Sequence, residues 1–184
     1  AQLDLFEGGG LVFALDPLVA GYPGTRLLFG EGACTFEAGQ PQSCGFLADG
    51  KRTSFEGVTV SDTGTCGAGG PNAPCFATGE ATFDLLSVIP GIFPESTEGD
   101  VTGMVSGTFV GDPIQGITGA KIEAFAPREL LESYTIDASV TGRSVTIAEL
   151  LDPTALTTYQ DVSGWWFELA VSAARLPYES PGGC

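Results

Sequence analysis

The chain has 184 residues, of which 43% are hydrophobic, and this composition excludes a wholly disordered protein. It contains no histidine, which excludes a serine–histidine triad and removes the commonest metal ligand of proteins. Only seven basic residues oppose 23 acidic ones, for a formal net charge of −16, and a chain without clustered cations is a poor partner for nucleic acid.

Period-two alternation of apolar and polar residues dominates the chain and predicts β-strands throughout. In chain order the predicted strands cover 10–15, 25–30, 44–47, 54–60, 81–87, 101–109, 121–126, 134–140, 144–147 and 165–171. This spacing is typical of a sandwich or jelly roll. We therefore expect an all-β fold, an antiparallel β-sandwich or jelly roll of nine or ten strands, as a single domain over residues 1–184. No run of 18 apolar residues is present, so no membrane span is expected.

The N-terminal segment has apolar residues in alternation on both sides of a glycine run at 8–10. Such a strand pairs with its own sheet by default. The alternative is that residues 1–10 form a donated or swapped strand that inserts into the next subunit, with the glycines as the hinge. The candidate assembly residues on this segment are Leu3, Leu5, Leu11, Phe13 and Leu15.

The cysteines indicate an oxidising compartment. Local disulfides Cys34–Cys44 and Cys66–Cys75 are the simplest of three possible pairings. Zinc is disfavoured because no C-x-x-C pair and no histidine are present. The odd Cys184 follows a flexible tail over 177–184, and it predicts an intermolecular bridge, a free thiol or a bond back to the domain. The chain begins with Ala1, which fits a cleaved secretory signal.

Two segments predict short helical turns among the strands. Residues 127–133 begin with Pro127, and proline is favoured in the first turn of a helix. Thr146 and Glu149 have the spacing of a capping box, and Pro153 follows as a stop signal. This second helix conflicts with a strand over 144–149, and both alternatives remain open.

Pairs of carboxylates are candidates for general acid and base chemistry, since a glycosidase needs only two. The pairs are Glu80 with Asp84, Glu98 with Asp100, and Glu123 with Asp137. With 23 acidic residues on a small surface, such pairs also arise by chance. Calcium is a possible ligand of the stretch 95–100, although the stretch lacks the spacing of an EF-hand.

Trp165 and Trp166 are adjacent, and neighbouring residues of a strand face opposite sides of a sheet. One indole is therefore expected in the core, and the other faces solvent or a partner. An exposed tryptophan can stack on a sugar ring or anchor an interface. The alternative is that sheet and loop cover both side chains.

These observations predict a secreted, non-catalytic structural subunit of an extracellular filament or surface assembly. Self-association by strand pairing and apolar contact is expected because opposite charges are scarce. A carbohydrate-binding module that uses Trp165 or Trp166 is the alternative, and a glycoside hydrolase with a carboxylate pair is a lesser one. No catalytic, cofactor-binding or metal-binding residue is assigned.

Overall fold

The computed structural model of the protein describes residues 9–67, 69–84, 99–136 and 142–177. The described part is mostly β, with two antiparallel sheets, one two-stranded pairing and short helices. The thirteen strands are β1 (Gly9–Asp16), β2 (Arg26–Glu37), β3 (Gln40–Phe46), β4 (Arg52–Phe55), β5 (Thr59–Ser61), β6 (Cys75–Ala77), β7 (Ala81–Asp84), β8 (Asp100–Val110), β9 (Gly116–Pro127), β10 (Thr135–Ile136), β11 (Val145–Thr146), β12 (Thr157–Tyr159) and β13 (Val162–Ala174).

The four-stranded sheet is organised around β2, which pairs with β1 on one side and with β3 and β4 on the other. Residues 27–30 of β2 face β4, and residues 32–37 face β3. Glycine is required at two positions where strands approach closely. A β-carbon on Gly30 would overlap the backbone of Lys51, and one on Gly32 would overlap the side chain of Val12.

The seven-stranded sheet has the order β12-β13-β9-β8-β6-β5, and β7 also pairs with β8. Its three long strands, β8, β9 and β13, are in consecutive antiparallel register. The alternating apolar residues of β8 are buried at Val101, Val105 and Phe109, while the intervening polar residues are partly exposed. This alternation is what places one face of the sheet on the core.

Aromatic rings join the two sheets. Phe29 of β2 stacks on Phe55 of β4 with 5.6 Å between ring centroids, and it meets the edge of Phe83 of β7 at 5.7 Å. Burial of each ring contributes roughly 1.5–3 kcal/mol, and each aromatic pair about 0.5–1.5 kcal/mol more. The remaining buried members of the core are Leu27, Val58, Val60, Phe76, Val101, Val105, Phe109, Ile122, Ala124, Ala126, Leu131, Tyr134 and Trp165.

Both predicted helical turns are present. Helix α1 covers Arg128–Ser133, directly after Pro127, and buries Leu131. Helix α2 covers Ile147–Leu150, and the hydroxyl of Thr146 accepts the backbone N–H of Glu149, as a capping box requires. A 3-10 turn at Pro153–Ala155 follows. The strand alternative over 144–149 is therefore wrong beyond β11, because the cap diverts the chain into a helix after Thr146.

The predicted strand boundaries differ from the structure at further places, and β2 continues to Glu37 although the expected strand ends at residue 30. The strand expected over 54–60 is two strands, β4 and β5, because the chain turns at Gly57, where φ is +62°. Strands β6 and β12 were not predicted, since each has three residues and shows no alternation of its own. Of the strand expected over 134–140, the structure describes β10, and residues 137–140 lie outside the described part.

Two disulfides are present, with the predicted pairing. Cys34 and Cys44 join β2 to β3 as direct cross-strand partners, and Cys66 and Cys75 close the loop that precedes β6. Each removes freedom from the unfolded chain and stabilises by about 2–4 kcal/mol. Among the described residues, no helix has the length and hydrophobicity of a membrane-spanning segment.

We predict that Phe29→Ala lowers the free energy of unfolding by about 3–5 kcal/mol, because it opens a cavity where the two sheets meet. Phe36→Ala is the matched control, since Phe36 is 54% exposed, and we expect a change within about 0.5 kcal/mol. Urea unfolding followed by circular dichroism measures both. Equal effects of the two substitutions would contradict this account of the core.

Candidate functional site

Strand β1 forms an open edge of the four-stranded sheet. All eight of its residues are in register with β2, and among the described elements β2 is its only sheet neighbour. From Gly9 to Leu15 the strand carries no charge and no proline. Its one charged residue, Asp16, lies at the end and pairs with Arg26 of β2 at 3.6 Å. Charged residues and proline, which often protect an edge from pairing with another chain, are therefore missing from Gly9 to Leu15.

The other described sheet edges are short or partly covered, except at β13, where residues 165–174 have no strand partner on the side away from β9 because β12 pairs only with residues 162–164. The terminal strands of the seven-stranded sheet, β5 and β12, have three residues each. At β3, the backbone N–H of Cys44 donates to the carbonyl oxygen of Pro177 at 3.1 Å, so the end of the described chain occupies part of that edge. Strand β1 differs from the unpaired edge of β13 in its charge, because β1 carries none from Gly9 to Leu15 whereas β13 carries Glu168.

The predicted assembly residues divide between the described and the undescribed chain. Leu11, Phe13 and Leu15 lie in β1, within their own sheet. Phe13 stacks on Phe29 at 5.8 Å, and both Phe13 and Leu15 pack against the core, so these two side chains serve the chain's own fold. Leu3, Leu5 and Cys184 lie outside the described residues, and their roles stay predictions.

A second feature is a group of three aromatic side chains on the seven-stranded sheet, which we call the aromatic patch: Phe125, Tyr159 and Trp166. Their ring centroids lie 5.2–5.7 Å apart. Phe125 is buried beneath the other two, whereas Trp166 is 42% exposed. Trp165 lies on the opposite face, in the core, with its indole N–H donating to the carbonyl oxygen of Asp152 at 3.0 Å. The expected alternation of the two tryptophans is therefore present, and a role in ligand stacking remains a prediction.

Polar groups hold the aromatic patch at one edge. The hydroxyl of Tyr159 donates to the carboxylate of Glu80, and the side-chain amide of Gln160 lies 3.4 Å from the other oxygen of that carboxylate. Gln160 also donates to the Tyr159 hydroxyl oxygen at 3.0 Å. The hydrogen bond to Glu80, helped by burial, raises the pKa of Tyr159, so the phenol stays protonated at neutral pH.

Two backbone features place Tyr159 over the patch. The two-residue loop between β12 and β13 has positive φ at both Gln160 and Asp161, as a type I′ hairpin turn requires. A β-carbon on Gly164 would overlap the backbone of Ala126, and it would lie 2.6 Å from the ring of Phe125. The bare backbone at 164 leaves that space to the ring. Sequence reasoning missed this site because Gln-Asp is not a typical turn signal.

The carboxylates of Glu80 and Asp84 belong to different clusters. Glu80 is bound by Tyr159 and Gln160, whereas Asp84 lies 2.8 Å from the ammonium of Lys51. Asp84 is also the direct cross-strand partner of Asp100. The predicted pairs Glu98 with Asp100 and Glu123 with Asp137 each include one residue outside the described part. Most of the predicted calcium stretch, residues 95–98 of 95–100, also lies outside it. Within the described ranges, no three metal-ligating side chains lie close enough together to hold a metal.

Lys51, Asp84, Gly99 and Asp100 line a cavity of about 380 Å³. The buried Tyr134 lies next to it, because a β-carbon on Gly99 would come within 2.7 Å of the tyrosine oxygen. Burial raises the pKa of Tyr134, the Asp84 carboxylate adds to that rise, and Lys51 opposes it. A phenol that is neutral at ordinary pH suits a packing role beside the Lys51–Asp84 ion pair.

No family model, curated protein or solved structure matches this chain.

We predict that the free energy of unfolding falls as the pH rises from 10, the ordinary tyrosine pKa, to the higher pKa of Tyr134 in the folded chain. In that window the unfolded chain releases the phenolic proton while the folded chain retains it, so deprotonation favours unfolding. Tyr134→Phe should make the urea midpoint fall less steeply between about pH 8.5 and 11. Tyr22→Phe, which removes the hydroxyl of a half-exposed tyrosine, is the matched control. Parallel slopes for wild type and Tyr134→Phe would contradict the assignment.

Proposed function

We propose that this protein is a secreted, non-catalytic structural subunit of an extracellular assembly, in which the open edge of β1 accepts a strand from a second copy. We also propose that the two sheets are the layers of a β-sandwich, which the aromatic contacts between them support. The single observation that carries this proposal is the eight-residue edge of β1, uncharged from Gly9 to Leu15. Main-chain hydrogen bonds across such an edge are a common means of joining chains.

Exposed apolar side chains next to β1 support the same proposal. Leu18, Val19 and Tyr22 lie on the segment between β1 and β2, and each is at least 39% exposed. An interface of backbone pairing and apolar contact needs no opposite charges, which suits a chain with seven basic residues and a net charge of −16. The two disulfides are in keeping with a location outside the cell.

We assign the donated strand to residues 1–8 of the neighbouring copy. Leu3 and Leu5 give this segment the alternation of a strand, and Gly8, the residue before β1, supplies the change of direction between the two copies. Gly9 and Gly10, which the sequence also offered as a hinge, are paired with β2. Because the donor and the acceptor are different surfaces, the contact is head-to-tail. Repetition of a head-to-tail contact builds an open filament unless the rotation closes a ring.

We predict that Ala14→Lys blocks assembly and leaves a folded monomer. Ala14 is a half-buried residue of β1 that faces away from Phe13, and a lysine on an edge strand opposes further pairing. Ala48→Lys adds the same charge on an exposed turn after β3 and should assemble like the wild type. Analytical ultracentrifugation and negative-stain microscopy measure the particle size. Polymers of wild-type size from Ala14→Lys would contradict the assignment of β1 as the edge that accepts the donated strand.

Deletion of residues 1–8 tests the donor separately, since it leaves β1 in place. This variant and Ala14→Lys should each be monomeric alone. Mixed together they should form a heterodimer, because one retains the donor segment and the other retains the open edge. A mixture that stays monomeric would refute donation by this segment.

A further inference from the structure

We propose that the aromatic patch and the adjoining side chains of Glu80 and Gln160 bind a neutral pyranose unit of a polysaccharide. The patch lies on the seven-stranded sheet, whereas the proposed assembly edge is β1 of the other sheet. The proposal is therefore independent of strand donation. The sequence predicts that an exposed tryptophan can stack on a sugar ring, and the structure adds the side chains that surround Trp166.

The first argument is that the indole of Trp166 is both exposed and fixed. Phe125 lies 5.7 Å from it and Tyr159 5.2 Å, in tilted and edge-on arrangements that suit aromatic pairs. These two rings restrict the tryptophan before any ligand arrives, so less side-chain freedom is lost on binding. The apolar C–H face of a pyranose matches the exposed part of such a ring.

The second argument is that hydrogen-bonding groups are fixed beside the indole. The Glu80 carboxylate accepts a hydrogen bond from the Tyr159 hydroxyl and lies 3.4 Å from the Gln160 amide, and Gln160 is the first residue of the tight turn after β12. The carboxylate, the amide and the phenol offer donors and acceptors at the edge of an apolar floor. An apolar surface with a few placed polar groups is the usual composition of a small-molecule site.

The third argument concerns charge. Glu123 and Glu168 are direct cross-strand partners on the same face as Phe125 and Trp166, and Lys121 lies 2.8 Å from Glu168. This acidic face repels anionic sugars. Because Glu80 and Glu168 are each already engaged by a neighbouring side chain, hydroxyl groups suit the site better than ammonium groups do. A neutral sugar is the ligand class that meets both conditions.

The test measures binding of four neutral hexaoses, cellohexaose, xylohexaose, mannohexaose and hexa-N-acetylchitohexaose, by calorimetry and tryptophan fluorescence. We expect saturable binding of at least one of them. Trp166→Ala should weaken it at least about tenfold, and Trp166→Phe should restore part of the affinity, because a smaller ring still stacks. Tyr159→Phe, which keeps the ring and loses the hydroxyl, should give a smaller loss.

Phe36→Ala is the matched control, because it removes another exposed aromatic ring on a different sheet and should leave the affinity unchanged. Circular dichroism and the emission of the buried Trp165 show whether each variant is folded. Absence of saturable binding to all four hexaoses overturns the proposal, and so does an equal loss in Phe36→Ala. The proposal is also overturned if an oligolysine peptide binds more tightly than every hexaose. The same holds if Trp166→Ala changes the sedimentation of the protein but not its affinity for any hexaose.

Discussion

The contact of Phe29 with Phe55 and Phe83 is the interaction on which the rest of the structure depends. It brings β2 of one sheet against β7 of the other, with all three rings almost fully buried. Phe13 of β1 stacks on the same ring of Phe29, so the position of the N-terminal strand is set by this cluster as well. Without it, the sheets would lose the apolar surface that holds them together.

Because the inward-facing side chains hold the two sheets together, our two proposals rest on surfaces outside the core. One is backbone, at the open edge of β1. The other is the outward side of the seven-stranded sheet, where Trp166 is exposed while its neighbour Trp165 is in the core. Because the two surfaces lie on different sheets, the self-assembly and the ligand binding that we propose would not compete for the same residues.

Charge has a minor part in this fold. Each of the four ion pairs among the described residues has at least one partner with more than 40% of its side chain exposed, and such pairs contribute roughly 0–1 kcal/mol each. Stability therefore comes from apolar packing, from backbone pairing and from the two disulfides. The shortage of cations leaves the chain with a formal net charge of −16.

The sequence by itself determined the features that depend on neighbours along the chain. Alternation predicted the long strands and the opposite orientations of Trp165 and Trp166, short spacing predicted both disulfides, and the cap at Thr146 predicted α2. Only the tertiary structure decided which distant groups meet, such as Tyr159 with Glu80, 79 residues apart. It also created β6 and β12, which are strands because a neighbouring strand pairs with them. Local periodicity reports which face of a strand is apolar, whereas strand partners are selected by packing across the whole chain.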